Sequence, residues 1–205
     1  MPDRDAASTT PTRRRPSRRA ALISAAVDEF GATTSLEAVT AAQIAARTGM
    51  GLSAFYYHFA SIDALLEAVV EALFNGISTR SKPRPDEVDL ATWASASMQR
   101  QLDWISDRPG EARLLVAISG GSPGGPAVLS AVHGRLTTLS IEVGRDLVAL
   151  DPRNDELTSE ILARSFISLV TEVASLAFDG IAPDRSELRS AAMLLAHRLV
   201  TPVAA

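Results

Sequence analysis

The chain has 205 residues, 46% of them hydrophobic, enough for one medium domain or two small ones with a real core. It has no cysteine, which excludes disulfides, thiol catalysis and thiolate metal sites. The net charge of −4 is unevenly spread: residues 1–60 carry seven arginines against five acids, while residues 61–205 carry an excess of six acids.

A basic head on an acidic body suits a protein one end of which meets nucleic acid. No unbroken apolar run approaches the length of a membrane span, and the N-terminus lacks the apolar stretch of a signal peptide. The expectation is a cytoplasmic protein with no membrane partner.

Residues 1–16 hold Pro, Ser, Thr and Asp with almost no large apolar side chain, and are expected to form a disordered basic arm. The arm's Arg13, Arg14 and Arg15 run on into Arg18 and Arg19 at the first helix. It is either a solubilising tail or an arm that touches phosphates or a minor groove. From Ser17 to Phe30 the spacing of Leu22, Ala26 and Phe30, with Ile23 and Val27 beside them, predicts a helix with one core face. A loop follows, packed down by Leu36 and Val39.

Thr40 to Phe59 predicts two short helices. Thr40 and Gln43 form a capping box, Ile44 anchors the first helix, and Gly49 ends it in a left-handed conformation. Leu52, Phe55 and Phe59 fall at i, i+3 and i+7, so they are expected to share a buried face of the second helix. Ser53, Ala54, Tyr56 and Tyr57 then point elsewhere. Two helices joined by a turn with Gly describe either a helix-turn-helix, whose second helix enters a major groove, or a plain αα-corner. Ser61 caps a fourth helix carrying Asp63, Leu65, Leu66, Val69, Val70 and Leu73, and Pro83 and Pro85 break the chain after it.

Asp89 to Asp107 is expected to be helical, with a core stripe of Leu90, Ala94, Met98, Leu102 and Ile105. A second stripe holds Trp93, Ser97, Arg100 and Trp104. It is either core aromatics covered by an Arg stem or the wall of a ligand cavity in which Arg100 meets a polar or acidic group. Pro109 opens a short helix to Ile118. The Gly/Pro run 119–126 fits neither phosphate-loop spacing. Further helices are predicted from Pro126 to about Leu147, over 156–179 and over 184–200. The helix over 156–179 is apolar on two sides: Leu162, Phe166, Leu169, Val173 and Leu176 on one, Ala163, Ile167, Val170, Ala174 and Ala177 on the other. One stripe can cover the monomer core, and the other is expected at an interface.

Arg18 to Phe74 resembles the N-terminal domain of TetR-family transcriptional regulators. The resemblance rests on Ala25, Ala26, Phe30, Thr40, Ile44, Ala45 and Gly49, then on the string Phe55, Tyr56, Tyr57, His58, Phe59 followed by Ser61, Asp63, Leu65 and Leu66. The family usually has Ser or Thr at Gly51 and Lys at Ile62. The resemblance implies an all-α fold of about nine helices, with a three-helix DNA-binding domain at 17–60 and a helical effector-binding and dimerisation domain at 61–205. It implies a dimeric regulator, most often a repressor, that binds a double-stranded DNA operator and is released by a small-molecule effector. Arg18, Arg19, Thr40, Gly51, Leu52, Ser53, Ala54, Tyr56, Tyr57 and His58 would face DNA. Trp93, Ser97, Arg100 and Trp104 would face the effector, and Leu169, Val170, Val173 and Leu195 the partner subunit.

No cofactor and no metal is expected, His58 being assigned a backbone or phosphate hydrogen bond. A helical enzyme is the rival of another class, but the histidines at 58, 133 and 197 are scattered and no Ser/His/Asp spacing appears. A second rival keeps the fold as a ligand-binding or scaffold protein that has lost DNA binding, a reading prompted by Gly51 and Ile62.

Overall fold

The structure, a computed structural model, describes residues 17–33, 38–119, 125–178 and 184–201. The arm at 1–16, Leu36 and the segment 120–124 lie outside the described residues. Among those residues the chain forms nine helices and no strand: α1 (Arg18–Ala32), α2 (Ala41–Arg47), α3 (Leu52–His58), α4 (Ile62–Ser81), α5 (Leu90–Asp107), α6 (Pro109–Ser119), α7 (Gly125–Leu150), α8 (Glu156–Phe178) and α9 (Arg185–Val200).

Most starts follow from local chemistry. Ser17 Oγ accepts from the Ala20 amide and opens α1, and Ser61 Oγ accepts from Ala64 to open α4. Asp89 and Thr92 satisfy each other's backbone at the start of α5. Each cap fills donors that a helix leaves without partners. α1 runs two residues past the expected Phe30, through Gly31 and Ala32, and ends at Thr33. Gly31 is buried there, and its backbone lies against Gly110 of α6.

One continuous apolar cluster runs from α1 to α9. Leu22, Ala26, Phe30, Ile44, Phe55 and Phe59 form its upper end with Leu65 and Leu66 of α4, while Phe74 and Ile77 carry α4 on into the body. α1 packs on α4 and α6 as well as on α2, so the first three helices rest on the body through two supports. α7 and α8 are long antiparallel partners, and α9 lies on α5 and α8.

Candidate functional site

The geometry of the upper end is set by two turns. The Thr40 side chain accepts from the Gln43 amide at 3.3 Å, and Gln43 Oε1 accepts from the Thr40 amide at 2.8 Å. α2 then ends at Gly49, whose φ of +69° costs glycine little. α3 starts at Gly51, which supplies no side-chain cap. Phe55 and Phe59 anchor α3 from below with rings 6.0 Å apart, and Phe55 meets Tyr56 edge to face.

Leu52 departs from expectation. It stands 46% exposed beside Ser53, because the first turn of this seven-residue helix projects beyond the core and only its second half is anchored. Tyr56 is exposed and Tyr57 is 85% exposed. Ala54 and His58 are half-buried, His58 lying edge to face with Tyr57. Thr40, Gly51, Arg18 and Arg19 are exposed near the same end, and the Arg19 guanidinium sits 4.9 Å over the Phe59 ring. Arg47 is tied to Glu29 at 2.5 Å, binding α2 to α1. What remains on the outer face of α3 is two phenols, a serine hydroxyl and two apolar side chains on a rigid platform. No fold requirement explains a tyrosine so fully in solvent.

A sequence profile for bacterial regulatory proteins of the tetR family matches residues 22–69, which span α1 to the middle of α4. Over those residues the chain carries the N-terminal domain of the tetR family. Solved structures share its fold over most of its length. A tetR-family transcriptional regulator from Streptomyces coelicolor is 23% identical with a TM-score of 0.70, covering 89% of this chain and 79% of that one. A putative tetR-family regulator from a Rhodococcus species is 14% identical with a TM-score of 0.73, covering 90% and 98%. The multidrug binding protein EbrR complexed with imidazole is 22% identical with a TM-score of 0.63, covering 93% and 98%. Among curated proteins nothing matches the chain. The match supports DNA-binding regulation of transcription as the chain's work.

The expected ligand-facing stripe on α5 is packed into the core in this structure. Trp93 and Ser97 have no exposed surface at all, so no space even for a water adjoins them, and Trp104 is buried. Trp93 Nε1 donates to the Ser81 carbonyl at 2.7 Å, and Arg100 Nε donates to the Arg80 carbonyl at 2.7 Å. Arg100 also pairs with the buried carboxylate of Glu87. These groups satisfy the carbonyls that the C-terminus of α4 leaves open and hold the 82–89 segment against α5. Trp104 Nε1 donates to Glu111 at 3.0 Å, and the Arg80 guanidinium lies 4.2 Å over its ring. Burial lowers the Arg80 pKa to about 10, with Glu111 opposing the shift. Glu87, Arg80 and Gln101 complete this knot, and no sequence pattern singles them out, since their partners lie 13 to 21 positions away.

The expected interface residues divide in the regulator. Val170 and Val173 are buried within the monomer and Leu169 is half-buried, because α8 packs against α5, α6, α7 and α9. Leu195 is exposed. On α8 and α9 the large apolar side chains left in solvent are Leu157, Ile161, Leu194 and Leu195, and elsewhere on the body Val88 and Leu129 are exposed too. By length and composition α8 could cross a membrane, with a mean hydropathy of 1.6 over its best window, which a count of unbroken apolar runs does not register. In the fold it is a packed helix with one open edge.

Proposed function

We infer that this regulator binds a palindromic operator as a homodimer, represses transcription there, and is released by a small-molecule effector. The observation that carries the reading is the outer face of α3, where Tyr57 and Tyr56 stand in solvent on a helix pinned by Phe55 and Phe59. Phenol and serine hydroxyls can bond phosphates or base edges, and the Leu52 and Ala54 side chains suit thymine methyls. Thr40 and the Gly51 amide approach the backbone beside α3, His58 bonds a phosphate, and Arg18 and Arg19 neutralise phosphates from the start of α1. Residues 17–60 serve as the reading head and residues 61–205 as the effector and assembly body.

Two copies are needed because each head reads half a site, with recognition helices about one DNA turn apart, roughly 34–36 Å. Leu157, Ile161, Leu194 and Leu195 are the apolar surface that a partner subunit would cover. The likeness to EbrR, a protein described as multidrug binding and complexed with imidazole and with ethidium, supports a small molecule as the effector.

A gel shift of the full chain with the DNA upstream of its own gene tests the reading. A retarded band at nanomolar protein, lost with Tyr57→Ala, is the expected result. No shift on that DNA or on a randomised pool would leave a ligand-binding protein of this fold that does not read DNA.

A further inference from the structure

A cavity of about 110 Å³ lies between α5, the start of α6, the end of α8 and the start of α9. Leu102, Ile105, Val173, Ala177, Phe178 and Leu188 give it an apolar floor, and Arg185 and Arg189 line it too. Arg185 is exposed and has no acidic partner among the described residues, so its guanidinium marks the solvent side. Arg189 is held at 2.6 Å by Asp103 of α5, and Arg113 lies 5.3 Å over the ring of Phe178. Arg185 and Arg189 therefore bring two guanidinium groups to an apolar hole, with one carboxylate, Asp103, engaged between two of its walls. The Ser106 hydroxyl, also in the lining, is already spent on the Leu102 carbonyl at 3.0 Å.

We propose that this cavity takes a compact apolar carboxylate, its hydrocarbon part among Leu102, Ile105, Val173 and Leu188 and its anion on Arg185 and Arg189. The size argues for a body near that of benzene, which a dry protein cavity of about 150 Å³ is able to hold. The charge argues for an anion: a neutral ligand leaves Arg185 unused, and a cation meets like charge. A carboxylate gains charge-assisted hydrogen bonds from a planar donor fork, which a hydroxyl does not match. Pro109 lines the same cavity, and the next residue, Gly110, is the one whose backbone touches Gly31 in α1. Filling the cavity thus bears on the support that holds the reading head. The proposal rests on the effector reading above and names the site and ligand class for it.

Calorimetry of the full-length protein with benzoate, benzyl alcohol and benzylammonium tests it. Benzoate should bind, benzyl alcohol about tenfold more weakly or worse, and benzylammonium not at all. Arg185→Gln should cut benzoate affinity to the level of the alcohol. Ala177→Phe, which fills the hole, should abolish binding with unchanged circular dichroism. If Ala177→Phe does not fold, Arg185→Gln, an exposed change, still decides. No binding of benzoate, equal binding of the alcohol or the amine, or benzoate affinity untouched by Arg185→Gln would each overturn the proposal. A gel shift in saturating benzoate separates the two readings: benzoate bound and lost in Arg185→Gln, yet without effect on DNA, upholds the cavity and sinks release by this effector.

Discussion

Gly31 and Gly110 meet through bare backbone: a Cβ on Gly31 would stand 2.5 Å from the Gly110 carbonyl oxygen, whereas a Cβ on Gly110 would stand 3.8 Å from the nearest atom of Gly31. The contact joins α1 of the reading head to the first turn of α6, and it is one-sided. In an exposed helix interior Gly→Ala gains about 1 kcal/mol from propensity alone. At position 31 the new methyl meets backbone that cannot rotate away. Gly31→Ala should therefore cost about 1–3 kcal/mol, as overpacking does, and Gly110→Ala should be neutral or mildly stabilising. Urea titrations of both variants check the contrast, and equal effects would show that the helices slide apart freely.

The start of α3 supplies a second case. Gly51 has φ −77° and ψ 160°, an ordinary N-cap conformation, with open space where a Cβ would go. Gly51→Ser should therefore fit without strain and supply the missing cap, for a gain of a few tenths of a kcal/mol, since Gly is only slightly worse than Ser there. A thermal melt reads that gain. A loss instead would mean that the loop before α3 requires the freedom of glycine.

The reading face itself separates into anchors and readers. Phe55→Ala removes a fully buried ring and should cost about 3–5 kcal/mol. Tyr57→Ala removes a ring that is almost wholly in solvent and should leave stability unchanged while weakening DNA binding. Arg18→Ala with Arg19→Ala should make the slope of log K against log salt shallower by about 1–2 units per chain if both meet phosphates. Denaturation and binding isotherms on the same samples check all three. A destabilised Tyr57→Ala with intact DNA affinity would make Tyr57 an anchor and not a reader.

These cases show which parts were legible in the sequence. The Thr40–Gln43 box, the left-handed Gly49 and the Ser61 cap are contacts within three residues, and a linear pattern carries them in full. The phase that put Phe55 and Phe59 inside also put Leu52 inside, because periodicity does not say where the core ends along a helix. The α5 stripe was visible as a stripe, but its reading depended on Glu87 and on the carbonyls of Arg80 and Ser81, which belong to another element. The small cavity is built from four helices, and no local spacing announces it.

The α5 knot makes its own prediction. Ser97 Oγ is fully buried with no hydrogen-bond partner among the described residues. Ser97→Ala should stabilise the regulator by about 1 kcal/mol, since an orphaned hydroxyl carries its full desolvation cost. Glu87→Ala should cost about 3–5 kcal/mol, because it leaves the largely buried Arg100 guanidinium without its carboxylate. Chemical denaturation measures both. A ligand cavity around Ser97 would show the opposite pattern, with Ser97→Ala silent in stability and damaging to effector binding.

Assembly gives the last test. The Val170 stripe of α8 turns inward, so Val170→Arg, at 1% exposure, places a charge in the monomer core and should unfold the body rather than split a dimer. On α8 and α9 the large apolar side chains free to meet a partner are Leu157, Ile161, Leu194 and Leu195, none of which the monomer needs for its core. Ile161→Arg with Leu195→Arg should therefore keep native circular dichroism and melt close to the parent, yet give a monomer by light scattering at micromolar concentration. Operator affinity should collapse with the dimer, since each head then holds half a site and loses the gain of being tethered to the other. If this double variant stays dimeric and binds DNA unchanged, the partner sits on another surface. If the parent itself is monomeric at that concentration, the palindromic reading fails, and the exposed leucines of α9 have some other occupant.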